Sequence, residues 1–214
     1  WPLESYQRGP FIRQFHESSD GILWMASGNN WGLIRYNSAT EEVTQFTFDP
    51  PADVSLSHNN VNALTGQEQD LWLATSAGLV RFDTQNLTHH RVPTITYNDA
   101  EKTFTDDVFT SVYIDHLKNI WAGTNAGGIN KYDPKTGKVE IFNTYNSALP
   151  DNTIMSMVGD NAGFLWLGTR HGLVRMNLES KAMNVYTTEQ GLQDNTFTWG
   201  AYRDDAGMLF LGGG

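Results

Sequence analysis

Short apolar runs with a period near two, separated by Gly, Asn, Asp and Ser, continue along the whole chain. The clearest stretch is 160–177, DNAGFLWLGTRHGLVRMN. Residues 164–167 form a β-rich apolar run, and Gly163 supplies the positive φ that the preceding turn needs. Residues 168–172 read as a second turn, and 173–176 alternate as a strand does. The same text recurs as DGILWMASGNNWGLIRYN at 20–37, QDLWLATSAGLVRFD at 69–83 and NIWAGTNAGGINKYD at 119–133. A clipped copy, AGMLFLGGG, occupies 206–214. Its anchors, Trp24, Trp72, Trp121, Trp166 and Phe210, stand 48, 49, 45 and 44 residues apart.

Each hairpin is preceded by another apolar run, at 11–15, 61–64, 108–114, 154–158 and 197–202. A further strand is expected after it, as at 43–48, 139–142 and 183–186, reached through turns such as Asp133-Pro-Lys-Thr-Gly. A period of roughly 40–50 residues with a fixed aromatic, and four antiparallel strands per unit, predicts an all-β fold: a β-propeller of four-stranded blades. The repeats are placed at about 8–55, 56–102, 103–148, 149–190 and 191–214. The last is incomplete, so the expectation is about four and a half repeats of a larger propeller, with residues 1–8 the remnant of an outer strand. Two turns depart from the pattern: 66–70 lacks the usual Asp-x-x-Gly, and Asn119 is expected where Gly belongs, in a left-handed conformation Asn tolerates.

Composition narrows the function classes. A net charge of −10 argues against a nucleic-acid backbone or an anionic lipid surface as partner. Zero cysteines remove disulfides, thiolate metal sites and a Cys nucleophile. No apolar run approaches the roughly 18 residues of a membrane span, so no membrane contact by this segment is expected. No signal-peptide pattern is present either.

The segment LPDNTIMSMVGDNAGFLWLGTRHGLVRMN with VYTTEQGLQDNTF after it resembles the two-component regulator propeller repeat, and the resemblance extends over essentially the whole chain. It implies the periplasmic sensor region of a membrane receptor whose outputs are histidine kinases, hybrid kinases or diguanylate cyclases. It also implies a glycan or small-molecule ligand, a following immunoglobulin-like domain and a second receptor protomer.

Trp24, Trp72, Trp121 and Trp166 hold the same place in each repeat and are read as packing between blades rather than as sugar platforms. Trp31 sits in an insertion with Asn30: Trp24 to Gly32 is eight residues, against six from Trp72 to Gly78. It is read either as a ligand contact or as packing on an adjacent loop. On the same expected face lie Asn125, Arg170 and His171, with Asn59, Asp106, Asn152 and Asn195 at the starts of inner strands. The last four are read as turn hydrogen-bonders or as a polar ring round the channel mouth. No cofactor is expected. His89 and His90 point to opposite faces of a strand, and the other histidines lack ligand spacing. The rival readings are a propeller enzyme, similar to streptogramin lyases or glycan-degrading proteins, and a protein-binding scaffold. An enzyme would need a His and acid set near the channel, which linear spacing does not assemble.

Overall fold

The apolar runs become strands, and the strands close into blades. The computed structural model describes residues 9–48, 59–92 and 108–213; the remnant expected at 1–8 lies outside them. The first blade is β1 (Phe11–Glu17), β2 (Ile22–Gly28), β3 (Gly32–Asn37) and β4 (Glu42–Phe46). The second is β5 (Val61–Gln67), β6 (Asp70–Thr75), β7 (Gly78–Asp83) and β8 (Thr88–Arg91). The third is β9 (Phe109–Ile114), β10 (Ile120–Thr124), β11 (Ile129–Tyr132) and β12 (Val139–Phe142). The fourth is β13 (Ile154–Gly159), β14 (Phe164–Thr169), β15 (Gly172–Asn177) and β16 (Met183–Tyr186). A two-stranded sheet, β17 (Phe197–Arg203) and β18 (Leu209–Gly213), follows. Each strand pairs antiparallel with its neighbour in the chain. Among the described residues the fold is therefore a β-propeller of four whole blades and one hairpin, with a single 3-10 turn at Thr188–Gln190. The outer strand expected over 43–48 stops at Phe46.

The inner strands β1, β5, β9, β13 and β17 all line one narrow axial gap, so the blades radiate from it. Second strands read as continuous apolar runs because both their faces are covered; β10 is buried along its whole length, whereas β4 and β8 at the periphery are largely exposed. The indoles fill the space between blades. Trp24 meets Phe46 of its own blade and, edge-on at 5.5 Å, Phe82 of the next. Trp72 meets Tyr132 of the third blade at 5.9 Å. Trp121 stacks on Phe142 at 5.8 Å and packs with Met176 and Leu178 of the fourth. Each ring removes roughly 150–250 Å² from water, worth roughly 4–6 kcal/mol of gross transfer free energy. Trp166 is only half-buried and stacks on Tyr186 at 5.9 Å.

Two polar devices explain the letters that recur beside the apolar ones. Six residues ahead of the indole, Asp115 accepts the Trp121 Nε1–H at 2.9 Å while its other oxygen holds the Leu117 and Asn119 amides. Asp160 does the same for Trp166, Ala162 and Phe164. Ser18 takes this place in the first blade and turns to Asp20 instead, and the Trp24 Nε1–H is left buried without a partner. At or just past the end of each third strand, Asn37, Asp83, Asp133 and Asn177 accept backbone amides two residues on, at 2.8–2.9 Å. The left-handed residue of those turns is Gly137 in the third blade but Glu41, Leu87 and Lys181 in the others. One expectation is corrected here. The left-handed residue of the 115–119 turn is Lys118 (φ 69°), not Asn119, because Lys118 is the one three residues ahead of the indole, as Gly163 is in the fourth blade.

Two outcomes follow. Asp115→Ala strands an indole N–H that is fully buried and costs about 2–3 kcal/mol. Asp160→Ala costs less, because Trp166 is half-exposed and water can replace the carboxylate. Equal denaturant midpoints for the two variants would contradict this account. Leu87→Gly relieves a left-handed side chain (φ 54°) that is 46% exposed and raises stability by about 1 kcal/mol, measured by the same titration.

Candidate functional site

Strand direction assigns the turns to faces. The β2–β3, β6–β7, β10–β11 and β14–β15 turns lie at the same end of the blades as the links into β5, β9, β13 and β17. Asn30, Trp31, Asn125, Arg170 and His171 come from the former, and Asn59, Asn152 and Asn195 from the latter, so all eight share one face. Asp106 lies outside the described residues.

The three asparagines share one geometry. Asn59 Oδ1 accepts the Phe48 amide at 2.7 Å, Asn152 Oδ1 that of Thr144 at 2.9 Å, and Asn195 Oδ1 that of Thr188 at 2.7 Å. Their carbonyls accept the amides of Gly32, Gly128 and Gly172. Each thus ties the exit of the preceding blade's outer strand to that blade's second turn. Each also stands two residues ahead of an inner strand.

In the first-blade insertion Asn29 and Asn30 are both left-handed (φ 57° and 63°), a conformation Asn adopts at little cost. The Asn30 amide donates to Asn60 Oδ1 at 3.0 Å, and the Trp31 carbonyl accepts from Gln45 Nε2 at 3.0 Å. The loop is therefore held at both sides, with Trp31 half-buried and Asn30 exposed. Asn125 and Arg170 are exposed on the corresponding turns.

The pairing missed from linear spacing is His171 with Asp151. His171 Nδ1 lies 2.5 Å from Asp151 Oδ2; the imidazole side chain is 72% exposed and the carboxylate 15%. Twenty residues separate them, but Ile154 pairs with Thr169, and this register brings both to the same end of the blade. Strand pairing was the signal that could have found them. Burial opposes the charge on Asp151, yet the Thr153 amide at 2.7 Å and the His171 ring outweigh it and hold its pKa below the ordinary carboxylate value. An imidazole gripped through Nδ1 presents Nε2 outward in a fixed direction, able to accept or donate one hydrogen bond.

Two other histidines serve packing. His16 lies over Gly66, where a Cβ would strike its ring, and burial lowers its pKa. His89 packs edge-on to Phe48 at 5.1 Å. No group of three or more metal-ligating side chains occurs among the described residues. On the opposite face, inter-blade grooves of about 350 and 290 Å³ are bordered by charges that pair with one another. Arg81 meets Asp70 at 2.8 Å, Lys118 meets Glu68 at 2.9 Å and Lys131 meets Glu140 at 3.4 Å.

Comparison with known proteins adds three findings. Residues 148–171 match the family model of the two component regulator propeller. Over 197 residues, 91% of this chain, the sequence is 32% identical to histidine kinase P4 of Formosa agariphila, and it spans 14% of that protein's length. Among solved structures, the extracellular domain of a putative hybrid two component system from B. thetaiotaomicron superposes with a TM-score of 0.74 at 19% identity, covering 95% of this chain and 27% of the other. Virginiamycin B lyase from Staphylococcus aureus superposes with a TM-score of 0.70 at 14% identity, covering 98% and 64%. At such identities the solved structures bear on the fold alone.

The Asp151 pKa sets a pH dependence. A carboxylate with a lowered folded pKa contributes stability above its unfolded value, and this is lost as pH falls through the folded pKa. NMR carboxylate titration is expected to find Asp151 below the ordinary Asp range, and His171→Ala to move it upward by removing one hydrogen bond to the charged form. An unchanged Asp151 titration in that variant would mean the pair is not formed in solution.

Proposed function

We propose that this chain, whose residues 148–171 are a two component regulator propeller repeat, is the extracytoplasmic sensing propeller of a larger signal-transduction receptor and breaks no bonds itself. Its place is the periplasm, and its ligand is a glycan or small metabolite taken at the turn-bearing face. One observation carries the reading. The axial gap holds only about 20 Å³, whereas a ligand cavity needs roughly 300 Å³ or more; the larger spaces, about 740 Å³ between β1 and the β17–β18 hairpin and about 350 and 290 Å³ on the opposite face, are open grooves. On the turn-bearing face Trp31, Asn125, Arg170 and His171 are the large or polar departures from small residues, and the reading places recognition there.

Ligand held there alters how the blades meet a following immunoglobulin-like domain or a second receptor protomer. Only a difference in affinity between two receptor states can transmit this. Moving such a receptor from almost wholly one state to the other takes a differential of about 10⁴-fold.

The oriented His171–Asp151 pair favours one rival, a lyase or glycan-degrading propeller using the imidazole as general base. A glycan array and a turnover screen on the purified chain separate the two. Binding without product is expected, weakened about tenfold or more by Arg170→Ala and by His171→Ala. Product formation that disappears in His171→Ala would replace the sensor with the enzyme. Binding indifferent to both variants would move the site away from this face.

A further inference from the structure

The seam between the second and third blades lacks a group that the later blades supply. In the third and fourth blades the indole N–H ends on a carboxylate, Trp121 on Asp115 and Trp166 on Asp160, both at 2.9 Å. The second blade makes the equivalent turn one residue shorter. Gln67 pairs with Asp70 across Glu68 and Gln69, whereas Asp115 faces Asn119 across His116, Leu117 and Lys118. The turn carboxylate is lost with that residue, and the Trp72 Nε1–H has no acceptor among the described residues. Trp24 shares the lack, but its Nε1 is sealed from solvent. Trp72 is 5% exposed and lines an open groove of about 350 Å³.

Further donors border the same groove. Arg81 is the cross-strand partner of Trp72, as Lys131 is of Trp121, so its side chain stands on the same face of the sheet. It spends Nε and Nη2 on Asp70, both at 2.8 Å, and keeps Nη1. Lys135 comes from the β11–β12 turn of the third blade, and its ammonium makes no salt bridge among the described residues. The acids of the groove are already engaged. Glu68 holds Lys118 at 2.9 Å, Asp70 holds Arg81, and Asp133 accepts the Lys135 amide and the Thr136 hydroxyl. Donors therefore outnumber the acceptors left for them. Beside them stand Ile120, Pro134 and Leu117, the last 64% exposed.

We propose that this groove binds a small monocarboxylic acid with a short apolar body. Its carboxylate accepts the Trp72 Nε1–H, as Asp115 accepts that of Trp121 in the next seam, while Arg81 and Lys135 add charge-assisted bonds. Leu117 and Pro134 cover the apolar body. The volume lies at the lower end of small-molecule sites, which suits an acid of a few carbons. Because the walls belong to two blades, the occupant fastens the second to the third. The groove lies on the face opposite the sensing turns, so this inference stands or falls separately from glycan binding there.

The test follows the indole N–H signals of the purified chain by NMR as sodium butyrate replaces sodium chloride at matched ionic strength. Butyrate is expected to shift the Trp72 signal saturably and to leave those of Trp121 and Trp166, already bonded to aspartate, in place. Butyramide, the same body without the charge, is expected to move none of them. Trp72→Phe identifies the signal and removes the donor. Lys135→Ala alters an exposed side chain and weakens butyrate binding about twofold to fivefold. It decides the matter if Trp72→Phe does not fold. A Trp72 signal indifferent to butyrate overturns the proposal. So does an equal response to butyramide, or equal butyrate affinity in wild type and Lys135→Ala.

Discussion

The structure depends on one constraint: two sheets can stand face to face round an axis only if the wedge between them is filled, and the indole of the second strand fills it. Its size covers the next blade's third strand, as Trp24 covers Phe82 and Trp72 covers Tyr132. Its N–H then creates a secondary demand, since a donor taken out of water must find an acceptor. Asp115 and Asp160 meet that demand while shaping the turn that delivers the strand. Aromatic and carboxylate six residues apart are therefore one device, and the unpaired Trp24 Nε1–H shows what the first blade lacks without it.

Much of this was legible because the features are local. Alternation, a recurring tryptophan and Asp or Asn after the third strand are short-range signals, and each maps onto a strand or turn of the expected kind. The left-handed Lys118 was misread as Asn119 because the turn was aligned on the following residue instead of on the indole. What escaped needed pairing across strands. Asp151 and His171 are distant in sequence and unremarkable alone, and only the Ile154–Thr169 register makes them partners. The bulge at Asn62 and Thr110 was equally hidden, since an extra residue in an inner strand leaves the apolar pattern almost unchanged.

Packing and recognition occupy different parts of the same blade. Residues in the wedge are large, apolar and interchangeable in kind from repeat to repeat, so they hold little information about a ligand. At the turns of the β3 end, Gly32, Gly128 and Gly172 stand where a side chain would strike the outer-strand carbonyls of Phe46, Phe142 and Tyr186. Variation there, such as the Asn29–Trp31 insertion or the Arg170–His171 pair, leaves the wedge untouched. A propeller can therefore change what it contacts without renegotiating its interior.

The asparagine ahead of β5, β13 and β17 has a consequence for how such chains evolve. Asn59, Asn152 and Asn195 fasten the turn and exit of the preceding blade, so the knot that finishes one unit is written in the opening letters of its successor. The heritable module is thus offset from the visible blade. Duplication or shuffling that respects sheet boundaries cuts these stitches, whereas exchange a few residues later carries those blades away already fastened.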